Sequence, residues 1–354
     1  MSVATDLALQ VLGKTVSVIH LDTADRRNLS NVGKVDFVNV FLAVKHAVKY
    51  LYLVLTKSPD FVYIPIAQEQ LAFLRDAMFL VPARFLHKKV VIHLHGGYFD
   101  KFYRSSPRVM RWLVNYALGH SVRAVVLGDS LRNMFRGLLP QDRVRVIPNG
   151  IPDAFESNDI SGDCSRPTIL FLSTLMQEKG VFELIKALPG IAKDVPDMRA
   201  VFAGEWLRPQ EQAAANNIIR EFKMEPFVEF LGPVAPPFKH QILRAAHVFV
   251  MPTHYRNEGH PYVILEAMSA GLPIVSTAVG CIPETVLDGV NGFIIDPNNI
   301  DELIHRVVSL LSDKSLRNRM GRASRERFLG NYTLTRFAHD MHELFREING
   351  VSPA

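Results

Sequence analysis

Two carboxylates eight positions apart, Glu258 and Glu266, stand in the stretch Asn257 to Glu284, NEGHPYVILEAMSAGLPIVSTAVGCIPE. Between them Gly259-His260-Pro261 leads into an apolar, Ala-rich run that ends at Gly271. Proline suits the first turn of a helix, where its missing N–H would have no partner anyway, and glycine suits the position just past a helix end. The spacing predicts a helix from about Pro261 to about Ala270, entered from a loop that carries Glu258. A glycine-containing loop feeding a helix N-terminus offers free amides and a positive dipole end, which is phosphate-site chemistry. Here that end is made of Gly259, His260, Pro261, Tyr262 and Val263. A carboxylate accepts paired hydrogen bonds, so the neighbouring hydroxyls of a sugar suit either glutamate. One ligand satisfying all of this is a sugar nucleotide, with its diphosphate at the helix end and a sugar ring on each side.

The whole string resembles the E-x7-E signature of retaining glycosyltransferases of the GT-B fold, most closely family 4. It reads EG-x-P-x4-EAM-x2-G-x-P, then a β-branched strand, then G-x-IPE, then DG-x-NG at 288–292. Two glutamates at that spacing arise often by chance; the resemblance rests on the full run. It implies an α/β protein of two Rossmann-like domains facing a cleft, moving a hexose-type sugar from a UDP- or GDP-sugar to a glycan or lipid-linked acceptor. In the resemblance Glu266 binds the nucleotide ribose and Glu258 the hydroxyls of the transferred sugar. Lys179, which precedes Gly180 at a helix start, sits on the diphosphate. His95, with Gly96 and Gly97, faces the donor sugar near the reacting carbon, and Gly204 and Gly232 lie where the family holds donor and base. An arginine usually stands five positions before the lysine; here that position is Thr174, and Arg208 after the GEW turn is the candidate replacement. No D-x-D motif is present, which fits the metal independence usual for this fold. No cofactor is expected, since the nucleotide sugar is a substrate.

The elements that must position these residues alternate between strand and helix, which implies parallel sheets with crossover helices. In the first half, strands are expected at 15–21, 61–66, 90–96, 124–129 and 144–150, with helices at the N-terminus and near 36–56, 68–86, 106–118 and 130–139. Ligands gather at the carboxyl ends of such strands, which is what singles out His95-Gly96-Gly97. Asp129-Ser130 ends a strand and also reads as a helix N-cap. The family opens with a strand and a Gly-Gly loop before its first helix, whereas Met1 falls almost on that helix. The first domain is therefore expected to lack its first strand. Domains are expected at 1–155 and 156–335, joined by the polar, turn-rich stretch after IPNGI, with 336–354 a helix crossing back to the first domain.

At 354 residues the chain has the length of two domains. Two distant cysteines exclude a disulfide framework and fit a reducing compartment. No secretory signal appears, so a cytoplasmic location is expected, peripheral on the inner face of the membrane if membrane contact holds. Gly13-Lys14-Thr15 lacks the preceding strand and the earlier glycine of a P-loop, and no G-x-G-x-x-G is present, so neither a P-loop nor a dinucleotide fingerprint is read. Net charge is +5, but residues 1–150 hold 20 Lys+Arg against 10 Asp+Glu. Such asymmetry points to an anionic partner, and with no nucleic-acid module a membrane surface is favoured over nucleic acid. The helix near 36–57 is interrupted by Lys45, His46 and Lys49 and is not expected to span a bilayer. Membrane contact and an ordinary solvated basic face both remain open for Arg84, Lys88, Lys89, Arg104, Arg108 and Arg111. Two other functions compete with transfer: a catalytically impaired protein that binds a sugar nucleotide, and a sugar-nucleotide epimerase of the same fold.

Overall fold

A computed structural model of the protein describes residues 3–13, 16–23, 37–155 and 166–350. The chain divides into two units, Met1–Pro148 with Phe337–Ala354, and Asn149–Arg336.

The first unit opens with α1 (Val3–Leu12) and α2 (Phe37–Lys57). Then come β1 (Phe61–Ile66), α3 (Gln70–Phe85), β2 (Lys89–Leu94), α4 (Phe99–Ser105), α5 (Arg108–Leu118), β3 (Arg123–Val126) and β4 (Val144–Val146). The strands pair in the order β1-β2-β3-β4, all parallel. β2 is buried at five of its six positions, as a parallel strand covered on both faces must be, and four of those five, Val90, Val91, Ile92 and Leu94, are aliphatic. The strand predicted at 15–21 does not form: residues 16–23 belong to no strand, Thr15 lies outside the described residues, and Val18 and Ile19 are exposed. Apolar alternation makes a strand only where a sheet edge accepts its backbone, and here none does. A 3-10 helix over Asp129–Phe135 replaces the helix predicted near 130–139. Among the described residues no helix is long and apolar enough to cross a membrane.

The second unit runs β5 (Thr168–Leu172), α6 (Val181–Asp194), β6 (Arg199–Ala203), α7 (Pro209–Glu221), β7 (Val228–Gly232), α8 (Phe238–Ala245) and β8 (Val248–Met251). It continues with α9 (Tyr262–Ser269), β9 (Ile274–Thr277), α10 (Ile282–Thr285), β10 (Gly292–Ile295), α11 (Ile300–Ser312) and α12 (Lys314–Asn331). Its six parallel strands lie in the order β10-β9-β8-β5-β6-β7. β5, β8 and β9 are wholly buried.

A last helix, α13 (Leu334–Asn349), packs from Phe337 onward with the first unit. Phe345 stacks on Phe61 with centroids 4.4 Å apart, and Glu347 pairs with Arg145 at 3.0 Å.

Candidate active site

The strand order of the second unit contains one reversal. From β5 the chain proceeds outward to β6 and β7; it then returns to β8 on the other side of β5 and proceeds to β9 and β10. Loops leaving the carboxyl ends of β5 and β8 therefore diverge, and that is where an open α/β sheet binds its ligand. The β5 loop carries Thr174 and Lys179; the β8 loop carries Glu258, Gly259, His260 and Pro261 and runs into α9.

The two loops are tied across the reversal. His254 N–H donates to the Glu178 carbonyl at 2.9 Å, and Thr253 Oγ1 donates to the same oxygen at 3.3 Å. Lys179 Nζ then lies 2.5 Å from Glu258 Oε2, with side chains 14% and 8% exposed, and 4.8 Å from the centre of the Tyr255 ring. An ammonium so placed neutralises a carboxylate that burial would otherwise penalise heavily. Glu258 is thus held ready rather than left to find its own position.

α9 starts where the sequence places it, with extended Pro261 as N-cap and Tyr262 as first helical residue. Ile264, Leu265, Ala267 and Met268 are buried, and each fully buried large aliphatic side chain contributes about 1.5–3 kcal/mol. That leaves Glu266 on the open side of the second turn. Its Oε1 accepts from Lys239 Nζ at 2.6 Å, both side chains being 21% exposed. Each signature carboxylate therefore has its own lysine. At the other end of α9, Arg325 of α12 donates to the Ser269 carbonyl at 2.9 Å while gripping both oxygens of Asp153 at 2.6 and 2.7 Å. The helix is fixed at its far end by a forked cation.

His260 belongs to the scaffold. Its Nδ1 accepts from the Asn149 N–H at 3.1 Å, and its Nε2 is 3.0 Å from Thr285 Oγ1. Because that hydroxyl already donates to the Cys281 carbonyl, it must accept from the ring, which fixes a neutral imidazole protonated on Nε2. Complete burial drives its pKa down to about 3. Asn149 also donates to the His260 carbonyl at 2.9 Å and accepts from Tyr262 OH at 3.1 Å. The expectation that His260 binds substrate is corrected for its side chain, which has no free nitrogen. Gly280, at φ +57, lets the chain after β9 close on this loop: a Cβ there would come within 2.4 Å of the Gly259 carbonyl.

Two adjoining family profiles match the chain, "Glycosyltransferase Family 4" over residues 16–155 and "Glycosyl transferases group 1" over residues 154–327. This chain belongs to the group 1, family 4 glycosyltransferases. Among curated relatives, the alpha-maltose-1-phosphate synthase of Mycolicibacterium smegmatis is 28% identical over 278 residues, 72% of this chain and 68% of that protein. The GDP-mannose-dependent alpha-(1-6)-phosphatidylinositol monomannoside mannosyltransferase of the same organism is 34% identical over 174 residues. That alignment spans 47% of this chain and 44% of the relative, under half of its length. The crystal structure of Anabaena HepE in complex with UDP matches at a TM-score of 0.72 and 21% identity, covering 86% of this chain and 82% of that one. The fold is that of the GT-B glycosyltransferases, two parallel-sheet Rossmann-like units.

The remaining predicted residues of this glycosyltransferase divide. Thr174 is exposed at the end of β5. Arg208 does not take the place of the missing arginine: its guanidinium forks onto both oxygens of Glu178, at 3.0 and 3.2 Å, and also donates to Glu211. Gly204 is required by packing, since a Cβ at its φ of +147 would lie 1.8 Å from the Ser173 carbonyl, and its N–H donates to the Gly232 carbonyl at 2.8 Å. Gly232, at the end of β7, has open space around it.

In the first unit, His95 follows β2 and its ring lies 3.9 Å from that of His93. Burial lowers the pKa of His95 to about 4, and its Nδ1 is buried without a hydrogen-bond partner. His93 is fully buried with Nδ1 on Tyr63 OH. At Gly96 a Cβ would meet the end of the Gln68 side chain, 1.9 Å away, whose Oε1 accepts from the Tyr98 N–H at 2.8 Å; Gly97 follows, half-buried.

Sequence reading missed Lys239, Thr253, Tyr255 and Asn149. Lys239 sits in an ordinary amphipathic helix 27 positions before Glu266, and no spacing rule connects the two. Among the described residues no cluster of three or more His, Cys, Asp or Glu is arranged to hold a metal ion.

Proposed function

We propose that this glycosyltransferase moves a hexose-type sugar from a UDP- or GDP-sugar to a glycan or lipid-linked acceptor with retention of configuration. The observation that supports it is the pairing of Glu258 with Lys179 and of Glu266 with Lys239 on either side of the α9 N-terminus. Glu266 accepts hydrogen bonds from the ribose hydroxyls, and Lys239 keeps its carboxylate in place. Backbone amides at Gly259, Tyr262 and Val263 take the diphosphate oxygens at the positive end of the helix dipole. Lys179 supplies an ammonium against the charge that grows on the diphosphate as the glycosidic bond breaks. Glu258 accepts from the hydroxyls of the transferred sugar, and holding that ring in one orientation lowers the barrier by removing freedom before the reaction. His95, which the family resemblance sets facing the donor sugar, is neutral at pH 7. Gly204 and Gly232 line the base end, where their main chain reads its edge.

The test is incubation of the purified chain with UDP- and GDP-sugars, alone and with glycan acceptors, followed by proton NMR of the products. The reading expects a product whose anomeric configuration equals that of the donor. An inverted product contradicts retention. An epimerised donor formed without acceptor favours the epimerase. Binding without any consumption favours the impaired protein, the reading that the exposed Thr174 in place of the family's arginine supports.

A further inference from the structure

The outer helices of the first unit present an apolar surface with almost no acidic groups. Eighteen large hydrophobic residues are exposed among the described residues, and eleven of them lie on α2, α3 and α5. The five in the second unit are scattered over separate elements. On α2, Phe41, Val48 and Tyr52 are 68%, 64% and 64% exposed at helical spacing; on α3 and α5, Phe85, Val109 and Trp112 are 67%, 79% and 64% exposed. The three helices form one layer. α3 packs against both neighbours, through Tyr50 edge-on to Phe79 at 5.2 Å and through the Arg84 guanidinium 4.1 Å above the Tyr116 ring. Trp112 stacks on that same Tyr116 ring at 5.5 Å.

The charge on this layer has one sign. The three helices hold seven Lys or Arg and a single acidic residue, Asp76. Asp76 is 2% exposed and accepts from the Ala67 N–H at 2.7 Å, so it contributes nothing outward. Lys45 and Lys49 lie among the exposed apolar residues of α2, and Arg108 and Arg111 flank Val109 and Trp112 on α5.

We propose that this face docks on an anionic lipid surface, with the aromatic and aliphatic side chains entering the headgroup boundary and the basic side chains meeting lipid phosphates. Helices with exposed Trp, Phe and Val on one face and Lys or Arg beside them lie in the interface plane, each basic residue near the surface adding to the attraction. A second copy of the chain fits worse. A two-fold dimer sets the same patch against itself, and this patch is cationic with no exposed carboxylate on its helices to answer it. The inference does not depend on the donor-site assignment, because every residue it uses lies on the outer helices of the first unit.

The experiment is flotation of the full chain with vesicles of phosphatidylcholine alone and of phosphatidylcholine containing one third phosphatidylglycerol, with the fluorescence of Trp112 followed in a Trp206→Phe background. Binding is expected on the anionic vesicles only, with a blue shift of Trp112 and release at high salt. Val109→Ser with Trp112→Ser should abolish flotation. Arg108→Gln with Arg111→Gln should lower the partition coefficient about 30-fold, as expected for two surface-facing cations. The melting temperature of each variant serves as the folding control. No binding to anionic vesicles, equal binding to neutral ones, or binding retained by both double variants overturns the proposal. So does a concentration-dependent dimer that the Trp112 variant dissolves, which assigns the face to a second copy.

Discussion

The two units share an architecture and place their charges differently. In the second unit, charges go inward to the reversal of strand order, where Lys179 and Lys239 hold Glu258 and Glu266 beside a helix end. In the first unit, the polar groups at the end of β2 are buried neutral rings, His93 and His95, while the cations stand on the outer helices among exposed apolar side chains. The same fold thus yields one unit with charges paired at its strand reversal and another with cations spread over its outer helices. The lesson is that a parallel sheet with crossover helices fixes where a ligand can go, and side-chain charge decides whether anything goes there.

That contrast predicts unequal sensitivity to substitution. Among substitutions the largest effect belongs to Lys179→Met, which leaves Glu258 buried without its counter-charge and should cost about 3 kcal/mol in denaturant unfolding. A loss below about 1 kcal/mol would mean that Glu258 needs no counter-charge when folded.

Next comes acid. His260 and His95 have folded pKa values of about 3 and about 4, below the ordinary 6.5. Above pH 6.5 both rings are neutral in the folded and the unfolded chain, and they add no pH dependence. Below it the unfolded chain binds protons that the folded chain refuses, so stability is lost as pH falls, by up to about 1.4 kcal/mol per pH unit for each ring, until the folded rings protonate. Melting curves between pH 7 and pH 4 should show that fall, and His260→Gln should reduce its slope. An unchanged slope would place the acid-sensitive group elsewhere.

Lys239→Met should cost less than about 1 kcal/mol, because that pair is partly open to solvent. Its effect should appear instead as weaker binding of nucleoside diphosphates. The smallest effect is expected from Trp112→Ser, within about 0.5 kcal/mol, since this exposed side chain supports no core. A large loss there would show that the outer face holds the first unit together.

The sequence made the second unit easy to read because its signals are local. Proline at a helix start, glycine past its end and a β-branched run after it predict α9 and β9 within about a residue or two. The string from EG to NG names the site because every member lies on one loop-helix-strand run. Lys239 was illegible, since its partnership with Glu266 depends on where α8 lands and not on any spacing. Asn149 read as part of the strand at 144–150, because its use, orienting His260, requires the folded loop. His260 itself looked like a ligand-binding residue because burial and partners cannot be read from a Gly-His-Pro triplet. The failed strand at 15–21 shows the limit from the other side: local alternation predicts a strand only when a neighbour accepts its hydrogen bonds.

The most direct test of the central claim is calorimetric titration of UDP and GDP, and of their sugars, into the wild-type chain and into Glu266→Ala. The account predicts binding of at least one of these nucleotides to the wild type and its loss in the variant, at an unchanged melting temperature. Equal affinity in the two proteins would contradict the role given to Glu266 and, with it, the placement of the donor at the start of α9.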